Sequence, residues 1–570
     1  MQILKNYKYI LAVVFITFLV AFSYIRIYTV TELGGDFNKH FLPANMFGVP
    51  QALKDQGLDT LYKLPEQSGW DGQFYYYISN DILGVSDVPK HCDADAYRYQ
   101  RIGLPLLANI LAKVTFQDYT SPATYYMTSL LLILAATFFF AKFLSDRGYS
   151  PYLSLFWSLG LGTQLTLLNG LPDAAADSLA LLAILAYIYN RKWLFSILIL
   201  FASLSREAFA IFPIMILLQQ MYIAYRNKMF NPFLFIKNEI SVIIPLAFFG
   251  AWRIYILKHF LMTPSEQAAN ILGLPLVSFF KYLGLSLQFK HPLVPNSWSE
   301  LIGLIYFIIL LSIAVAVIWS VSKKILHERD YANKLLPISS GFIILVFLYL
   351  SFGDTVMMHH TGYMKASTIF FFMIPVYFTM STKKFPILLF LFFLFGLINF
   401  NKEIINRIHP NNIANHALTV RTFDITKFPE KVECLSDFSY EVKILSEKEI
   451  GNNNPINLIV QKMLGHNKQK LLTIELKNTS TEIWPISKGF GIVNMSYHWV
   501  AKDGVTVVQD GVRTMLPREI KAGEKIVLDM IVEFPSNSEN LILKLSPVQE
   551  GCTWFIQKNK RKINATKSNY

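Results

Sequence analysis

The sequence predicts a polytopic α-helical membrane protein that carries a C-terminal antiparallel β-sandwich. Hydrophobic residues make up 53% of its 570 positions, and the mean hydropathy is +0.37. A soluble globular protein rarely reaches such values because its surface needs polar cover. Several apolar runs extend for about 18 residues or more, which is long enough to span a bilayer as a helix. From about residue 401 the chain becomes polar, and its short alternating runs indicate strands.

The charge balance agrees with this fold class. The formal net charge is +13, although only 16% of the residues are charged. In a polytopic membrane protein the excess of Lys and Arg usually lies in cytoplasmic loops, so the basic balance requires no nucleic-acid partner. The three cysteines, Cys92, Cys434 and Cys552, form no metal-ligand spacing. The sequence also contains no phosphate-binding loop, dinucleotide fingerprint or nucleophile elbow.

The first apolar run, residues 9–28, follows Lys5 and Lys8, which place the N-terminus in the cytoplasm. Its apolar core is long and no small-x-small cleavage site ends it, so we predict an uncleaved span. Residues 104–114 are too short to span and are predicted to be re-entrant or interfacial. The other predicted spans bring the total to about eleven, and they are residues 125–144, 153–168, 174–189, 193–204, 208–225, 240–256, 301–321, 336–350, 368–380 and 386–400.

Lys and Arg recur on alternate turns between these spans, which sets the orientation of each one. The first external loop then covers residues 30–103. The same parity places several polar groups on the external face, together with the C-terminal domain: Asp36, Asp71, Asp173, Arg206-Glu207 and His359-His360. A missed or additional span would break this agreement.

The polar tail follows a helical region of residues 1–400. Residues 401–465 are predicted as a linker and the start of an external domain, and residues 466–560 as the β-sandwich. Strands are predicted at 471–476, 491–499, 504–508, 525–534 and 541–545, with turns at Asp503-Gly504, Asp510-Gly511 and Ala522-Gly523. An external domain lies in an oxidising compartment, so Cys434 and Cys552 are candidates for a disulfide.

The strongest catalytic candidate is Asp71, in the stretch Trp70-Asp71-Gly72-Gln73-Phe74-Tyr75. Its aromatic neighbours can stack on sugar rings at the headgroup level, and Gly72 permits close approach of the backbone. A carboxylate at this place can take a proton from an attacking hydroxyl. We therefore predict Asp71 as a general base, with Trp70, Gln73 and Tyr75 as substrate contacts. The alternative is an ordinary solvated loop carboxylate.

Asp36 is the second candidate for the base. It follows Gly34-Gly35 directly after the first span, where it could also bind a metal or a hydroxyl group. The alternative is that Asp36 caps the helix that follows it.

Three arginines are candidate phosphate contacts, because a guanidinium binds phosphate through two parallel hydrogen bonds. Arg98 and Arg101 lie where the chain returns to the membrane, and their alternative role is to anchor the loop at the headgroups. Arg206-Glu207 interrupts an apolar hairpin, and charges at that depth are candidates for function. Its alternative is an internal ion pair that fixes the hairpin.

Asp173 and the pair His359-His360 complete the set of candidate binding residues. Asp173 stands where a span begins, so it can simply complement the helix N-terminus. His359 and His360 could contact a phosphate, a sugar or a metal, although an exposed histidine pair commonly has no such role.

The motifs around Asp71 resemble those of a known superfamily. Trp70-Asp71-Gly72-Gln73-Phe74-Tyr75, Tyr97-Arg98-Tyr99-Gln100-Arg101 and Leu104-Pro105-Leu106-Leu107 are similar to stretches of bacterial membrane proteins of the GT-C glycosyltransferase superfamily. The Trp-Asp pair is also similar to mannosyltransferases of glycolipid-anchor synthesis. This resemblance covers roughly residues 1–400 and is most specific at residues 69–107. It implies a multi-span fold, a polyprenyl-phosphate sugar donor and an acidic residue in the first external loop, which maps to Asp71 or, second, to Asp36.

The tail has a resemblance of its own, to an immunoglobulin-like domain found in bacterial envelope and glycan-synthesis proteins. The motifs that carry it are Asn478-Thr479, Trp484-Pro485, Tyr497-His498-Trp499, Asp510-Gly511-Val512-Arg513-Thr514-Met515-Leu516-Pro517, Gly523-Glu524 and Gln549-Glu550-Gly551-Cys552-Thr553-Trp554-Phe555. Such a domain is expected to have an aliphatic residue where Cys552 stands, which argues against the disulfide.

The expected function is the transfer of one sugar, with inversion, from a polyprenyl-phosphate carrier to an envelope glycan or lipid acceptor. The expected location is the bacterial inner membrane, and a divalent cation is compatible with the chemistry. Two alternatives remain. A glycan transporter or flippase predicts internal repeats and charges at mid-membrane, neither of which the sequence shows. A non-catalytic assembly protein would hold a glycan through its β-domain.

Overall fold

The computed structural model describes residues 2–31, 37–41, 47–56, 70–228, 230–261, 263–264, 271–288, 298–381, 385–407, 434–450, 468–486, 491–502, 506–508, 511, 513–534, 541–550 and 552–558. These residues fall into two compact units. The larger unit is built from almost all of the helices and the smaller unit contains all of the strands.

The helices up to residue 188 are α1 (Gln2–Thr31), α2 (Gln51–Lys54), α3 (Gly72–Ile78), α4 (Asp95–Tyr99), α5 (Gly103–Val114), α6 (Pro122–Asp146), α7 (Leu155–Ser158), α8 (Leu161–Leu168) and α9 (Asp173–Ile188). The helices that follow are α10 (Lys192–Ser205), α11 (Ile211–Arg226), α12 (Pro232–Phe260), α13 (Val277–Leu287), α14 (Trp298–His327), α15 (Leu335–Leu350), α16 (Asp354–Met357), α17 (His360–Ala366), α18 (Phe370–Ser381), α19 (Ile387–Arg407) and α20 (Phe555–Lys558). Short 3₁₀ turns occur at Phe37–Phe41, Val88–His91, Pro151–Ser154 and Glu207–Ala210.

Among the described residues, six helical segments are long and apolar enough to cross a membrane: Tyr7–Thr29, Pro122–Asp146, Glu207–Arg226, Pro232–Phe260, Trp298–His327 and His360–Met380. Further apolar helices of 10–17 residues are Gly103–Val114, Lys192–Ser205, Val277–Leu287, Leu335–Leu350 and Ile387–Lys402. This arrangement fits an integral membrane protein, while the predicted total of about eleven spans stays a prediction.

Helix α1 shows why the helical unit suits a lipid environment. One side of the helix is buried and carries Ile10, Val13, Thr17 and Ala21. The opposite side exposes Leu11, Phe15, Leu19 and Phe22. A surface helix of a soluble protein places polar residues there. An apolar exposed side therefore favours contact with lipid.

One predicted span differs from the structure. The apolar run 153–168 is divided into the 3₁₀ turn Pro151–Ser154 and the separate helices α7 and α8. The break falls at Leu159 and Gly160, where a Cβ on Gly160 would lie 2.9 Å from the carbonyl oxygen of Phe156. Helix α8 is buried on all sides. The run therefore stays apolar across the break, and its hydrophobicity does not reveal where the helix is interrupted.

The loop between α1 and α5 also departs from its predicted form. The alternation of apolar and polar residues over 41–53 predicts a short interfacial helix, but the described part contains the 3₁₀ turn Phe37–Phe41 and the short helix α2. The aromatic stretch 74–82 predicts a second one, and the structure instead has α3 at Gly72–Ile78, with all seven of its residues buried. Helix α3 is therefore buried on all sides, whereas an interfacial helix is buried on one side only.

The smaller unit consists of two antiparallel sheets. Its strands are β1 (Tyr440–Ile450), β2 (Lys468–Asn478), β3 (Val493–Ala501), β4 (Thr506–Val508), β5 (Thr514–Met515), β6 (Lys525–Phe534), β7 (Leu541–Gln549) and β8 (Thr553–Trp554). One sheet has the order β1-β2-β6 and the other β4-β3-β7-β8, with β5 paired to β3. The predicted strand at 525–534 is confirmed with both of its bounds, and Gly523 has the positive φ of +78° that its predicted turn requires.

Alternation along the strands builds one core between the two sheets. In β2 the buried residues are Leu472, Ile474 and Leu476, and Ile474 pairs with Leu528 of β6. The same core includes residues of β3 and the fully buried Trp484. Because side chains alternate across a strand, one face of each sheet supplies this core. Strand β1 pairs with β2 along its length, so the folded region begins before residue 466.

Cys434 and Cys552 form a disulfide. The bond joins residues 118 positions apart, just before β1 and just before β8. It therefore links the two ends of the described sheet region. Cys92 is free.

Candidate functional site

Asp71 is held by a buried arginine. It lies at the N-terminus of α3, and its Oδ1 is 3.1 Å from Nη2 of Arg98. The Asp71 side chain is 52% exposed, whereas that of Arg98 is 8% exposed. The carboxylate is thus fixed by a cation on its inner side and reachable on its outer side.

Arg98 is itself fixed by several contacts. Its Nε and Nη2 donate to the two oxygens of Asp93 at 2.8 and 2.7 Å, and its Nη1 donates to the Tyr75 hydroxyl at 3.4 Å. The guanidinium also lies 4.9 Å from the ring centre of Phe74. Burial works to lower the pKa of Arg98, but Asp71 and then Tyr75 and Asp93 raise it well above its ordinary value. Arg98 is therefore a permanent cation of the site.

Gly72 brings Asp71 close to the turn that precedes α9. A Cβ on Gly72 would lie 1.9 Å from the carbonyl oxygen of Asn169 and 3.2 Å from the carbonyl carbon of Gly170. Only glycine permits this approach of one backbone to another. Asp173, three residues after Gly170, is in the first turn of α9, where a carboxylate complements the helix N-terminus.

Arg101 and Glu207 form a second charged pair. Nε and Nη2 of Arg101 donate to the two carboxylate oxygens of Glu207 at 3.0 and 2.9 Å. Burial works to lower the pKa of Arg101, and Glu207 raises it well above its ordinary value. Gly103 allows this pairing, because a larger residue at this position would place its Cβ only 2.1 Å from Oγ of Ser205. The start of α5 is thereby pressed against the end of α10.

Arg206 pairs with Asp177, at 3.7 Å between Nη1 and Oδ1. Its Nη1 also donates to the carbonyl oxygen of Ala366, the last residue of α17, at 3.1 Å. The ring of Tyr349 lies 5.6 Å from the guanidinium. Asp177 is 1% exposed, and its Oδ1 has no hydrogen-bond partner within the described part of the chain. This third pair is therefore less completely bonded than the other two.

The three charged pairs belong to one cluster. Tyr75 interacts electrostatically with Arg98, Arg101 and Asp71. Arg206 in turn interacts with Arg101 and with Asp173. Helices α3, α4, α9, α10 and α17 thus contribute to a single polar site within the helical unit.

The alternative role of Arg206-Glu207, an ion pair between the two residues, is wrong. Arg206 has φ −153° and ψ 109°, an extended conformation between α10 and the following 3₁₀ turn. Successive side chains of an extended segment point in opposite directions. The two residues therefore pair with Asp177 and Arg101 rather than with each other.

The aromatic residues around Asp71 support the site from inside the protein. Tyr75 is 1% exposed and Gln73 is fully buried, and the amide of Gln73 donates to the carbonyl oxygen of Trp70 at 3.1 Å. Trp70 stacks on Tyr28 of α1 at 5.5 Å between ring centres. Tyr28 also makes an edge-type contact with His40, at 5.4 Å between ring centres. In this conformation these groups position Asp71, and only Trp70 keeps partial exposure.

His359 and His360 are not an exposed pair. His360 is 5% exposed, and its Nδ1 lies 2.5 Å from Oε1 of Glu300. His359 is partly exposed, and its Nε2 lies 3.5 Å from the same oxygen. Helix α17 begins at His360 and ends at Ala366, so it connects the histidines with Arg206.

The other predicted base, Asp36, lies outside the described residues. The sequence gives no role to Asp93 or Glu300, and it marks Asp177 only as a second acidic residue, after Asp173, where a span begins. Glu300 could have been singled out because it is an acidic residue at the start of an apolar helical run. Asp93 carried no such signal, since it is one of several acids in the same loop.

Comparison with known proteins adds no assignment. No protein-family model, curated protein or solved structure matches this chain significantly. The residues of the Asp71 cluster are therefore the basis for a functional proposal.

Proposed function

We propose that this protein is a membrane glycosyltransferase of the GT-C type, in which Asp71 is the general base for transfer of a sugar from a polyprenyl-phosphate carrier. The observation that carries the proposal is the Asp71 carboxylate, half-exposed and bound to the buried Arg98. A general base must be reachable by the hydroxyl that it deprotonates, and it must be held in one orientation. Asp71 meets both conditions.

In the proposed reaction, the acceptor hydroxyl attacks the anomeric carbon while Asp71 takes its proton. The bond between that carbon and the carrier oxygen breaks, and the carrier phosphate leaves with the electron pair. A single displacement of this kind inverts the anomeric centre. The acceptor is proposed to be an envelope glycan or lipid.

Arg206 is the most suitable of the three arginines to receive the leaving phosphate. Arg98 and Arg101 each make a two-pronged bond to a carboxylate, which occupies the donors that a phosphate would use. The contact of Arg206 with Asp177 is longer, at 3.7 Å, and involves one nitrogen. A phosphate can therefore bind Arg206 without first displacing a bidentate carboxylate.

The site also contains more carboxylates than guanidiniums. Asp71, Asp93, Asp173, Asp177 and Glu207 accompany the three arginines. A divalent cation would offset this excess when an anionic carrier approaches.

The proposal extends to the surroundings of the site. The cluster is proposed to face the outside of a bacterial inner membrane. The helical unit is proposed to cross that membrane about eleven times, with the shorter apolar helices providing several of the spans. The two-sheet unit is proposed to be an immunoglobulin-like domain on the same side. Its disulfide supports this side, because disulfides persist in oxidising compartments.

The test compares Asp71→Asn with Asp118→Asn, a matched change at another exposed aspartate. Each variant is expressed in a strain that lacks the chromosomal gene, and envelope glycans and polyprenyl-phosphate sugars are measured by mass spectrometry. Loss of general-base catalysis predicts a rate about 10²–10⁴ times lower for Asp71→Asn, with the donor accumulating. Asp118→Asn should behave as the wild type. Normal glycan assembly by Asp71→Asn at an equal protein level would refute the assignment.

A further inference from the structure

Three metal-ligating side chains meet away from the Asp71 cluster. Glu300 lies in the first turn of α14, while His359 and His360 lie at the start of α17. One donor atom from each of the three lies within 4.8 Å of the other two. Both imidazoles face Oε1 of Glu300, and their rings are stacked with centres 4.4 Å apart.

We propose that Glu300, His359 and His360 form a zinc site. Two imidazoles and one carboxylate are one of the ligand sets that zinc takes in catalytic sites with three protein ligands. Such a site leaves a fourth tetrahedral position for water or for an oxygen of a substrate. The proposal concerns metal binding alone and holds whether or not Asp71 is a general base.

The distances suit zinc after a small adjustment. In a tetrahedral site with ordinary bond lengths, neighbouring ligand atoms lie about 3.4 Å apart. Nε2 of His359 is already 3.5 Å from Oε1 of Glu300. Nδ1 of His360 is 2.5 Å from that oxygen, a hydrogen-bond distance, so metal entry must separate this pair by about 0.9 Å. Rotations of the side chains must supply this shift and must also bring the two ring nitrogens, which lie within 4.8 Å of each other, to a similar separation.

The outer contacts of the ligands also suit a metal. The peptide N–H of His360 donates to Oε2 of Glu300 at 2.7 Å, which orients the carboxylate with Oε1 towards both rings. Nδ1 of His359 accepts a hydrogen bond from the peptide N–H of Thr361 at 3.2 Å and lies 2.8 Å from the Thr361 hydroxyl. Zinc binding through Nε2 requires the tautomer in which Nδ1 carries the proton, and the Thr361 hydroxyl is placed to accept a hydrogen bond from it. Partners of this kind fix the tautomer and the orientation of a ligating histidine.

Helix packing holds the ligands in place. Gly303, one turn after Glu300, faces α17 so closely that a Cβ there would lie 2.9 Å from Cβ of His360 and 2.4 Å from the hydroxyl of Tyr363. Glu300 is 1% exposed, whereas the side chain of His359 is 24% exposed. Packing therefore fixes the two backbones, the separation of Glu300 and His360 must come from their side chains, and an ion can enter from the side of His359.

The experiment uses the full chain, purified in detergent through an affinity tag without histidines and freed of metal with a chelator. Zinc is titrated and counted by mass spectrometry, and Co²⁺ is added in parallel because a tetrahedral cobalt site has characteristic visible absorption. We expect one zinc ion per chain and a tetrahedral cobalt spectrum. Loss of an outer contact alone weakens metal binding 10–100-fold in known sites, so loss of a ligand should weaken it by at least about 100-fold.

The variants are His359→Ala, which changes a partly exposed ligand, and Glu300→Gln, which keeps the shape of a buried one. The control is His327→Ala, an exposed histidine near the end of the same helix as Glu300. The control should bind zinc as the wild type does. If neither zinc nor tetrahedral cobalt binds the wild-type chain, or if both ligand variants bind zinc as tightly as the control, the proposal is overturned. The wild-type cobalt spectrum decides the question even if a variant fails to fold.

Discussion

Replacing Gly72 by alanine should displace Asp71 from its position in the site. The added Cβ would lie 1.9 Å from the carbonyl oxygen of Asn169, whereas ordinary contact begins at about 3.4 Å. The N-terminus of α3 and the turn at Asn169 must then separate by about 1.5 Å. The obstacle is backbone, so no side-chain rotation can relieve it. Crowding of this kind typically costs about 1–3 kcal/mol of stability.

The displacement also predicts a loss of activity. A misplacement of about 1 Å can lower catalysis by about 10²-fold, because the reacting groups no longer meet in the required geometry. We therefore expect Gly72→Ala to transfer sugar at roughly one hundredth of the wild-type rate and to unfold at a lower temperature in detergent. Transfer is measured from envelope glycans by mass spectrometry, and unfolding by intrinsic fluorescence.

The matched control is Gly250→Ala, since a Cβ on Gly250 meets nothing within 4 Å and the residue lies inside α12. Alanine favours a helix interior over glycine by roughly 1 kcal/mol, so the control should be as stable as the wild type or more so. If Gly72→Ala matches the control in both unfolding temperature and glycan output, the close approach at Asn169 is not what positions Asp71.

Two further changes test one contact within each of the two units. Glu207→Gln should lower the free energy of unfolding by about 2 kcal/mol, because it leaves the guanidinium of Arg101, whose side chain is only 16% exposed, without its charged partner. Thermal unfolding in detergent measures this, and an unchanged midpoint would contradict it. The disulfide between Cys434 and Cys552 predicts that a thiol reagent labels one of the three cysteines in the denatured, unreduced chain and all three after reduction. Three labels before reduction would show that the bond is absent from the purified protein. If the bond is present, Cys434→Ser should destabilise the sheet region by about 2–5 kcal/mol, seen as faster proteolysis of the tail.

The site shows what long-range pairing adds to a sequence. Asp71 was singled out by its aromatic neighbours, and Arg98 by its place where the chain returns to the membrane. The sequence did not show that Arg98 binds Asp71 and Asp93 at once, because that bond depends on how α3 and α4 fold against each other. The aromatic residues expected to contact a sugar are mostly buried, since the same apolar surface also favours packing inside the protein.

The histidine pair illustrates the same limit. The sequence alone predicts that His359 and His360 are an exposed pair on the external face. In the structure Glu300, about 60 positions earlier, approaches both rings because α14 packs closely on α17 at Gly303. Nothing local to residues 359–360 indicates this partner.

The amino-acid sequence alone indicates the membrane character of the protein, the polar tail and most of its strands. These properties depend on local composition and periodicity, which each stretch of chain carries without reference to any other. Packing in three dimensions sets which charges pair, which aromatics are buried and where an apolar run breaks. Those outcomes depend on side chains far apart in sequence being brought within a few ångströms, and the free energy of such contacts belongs to the packed arrangement rather than to either residue.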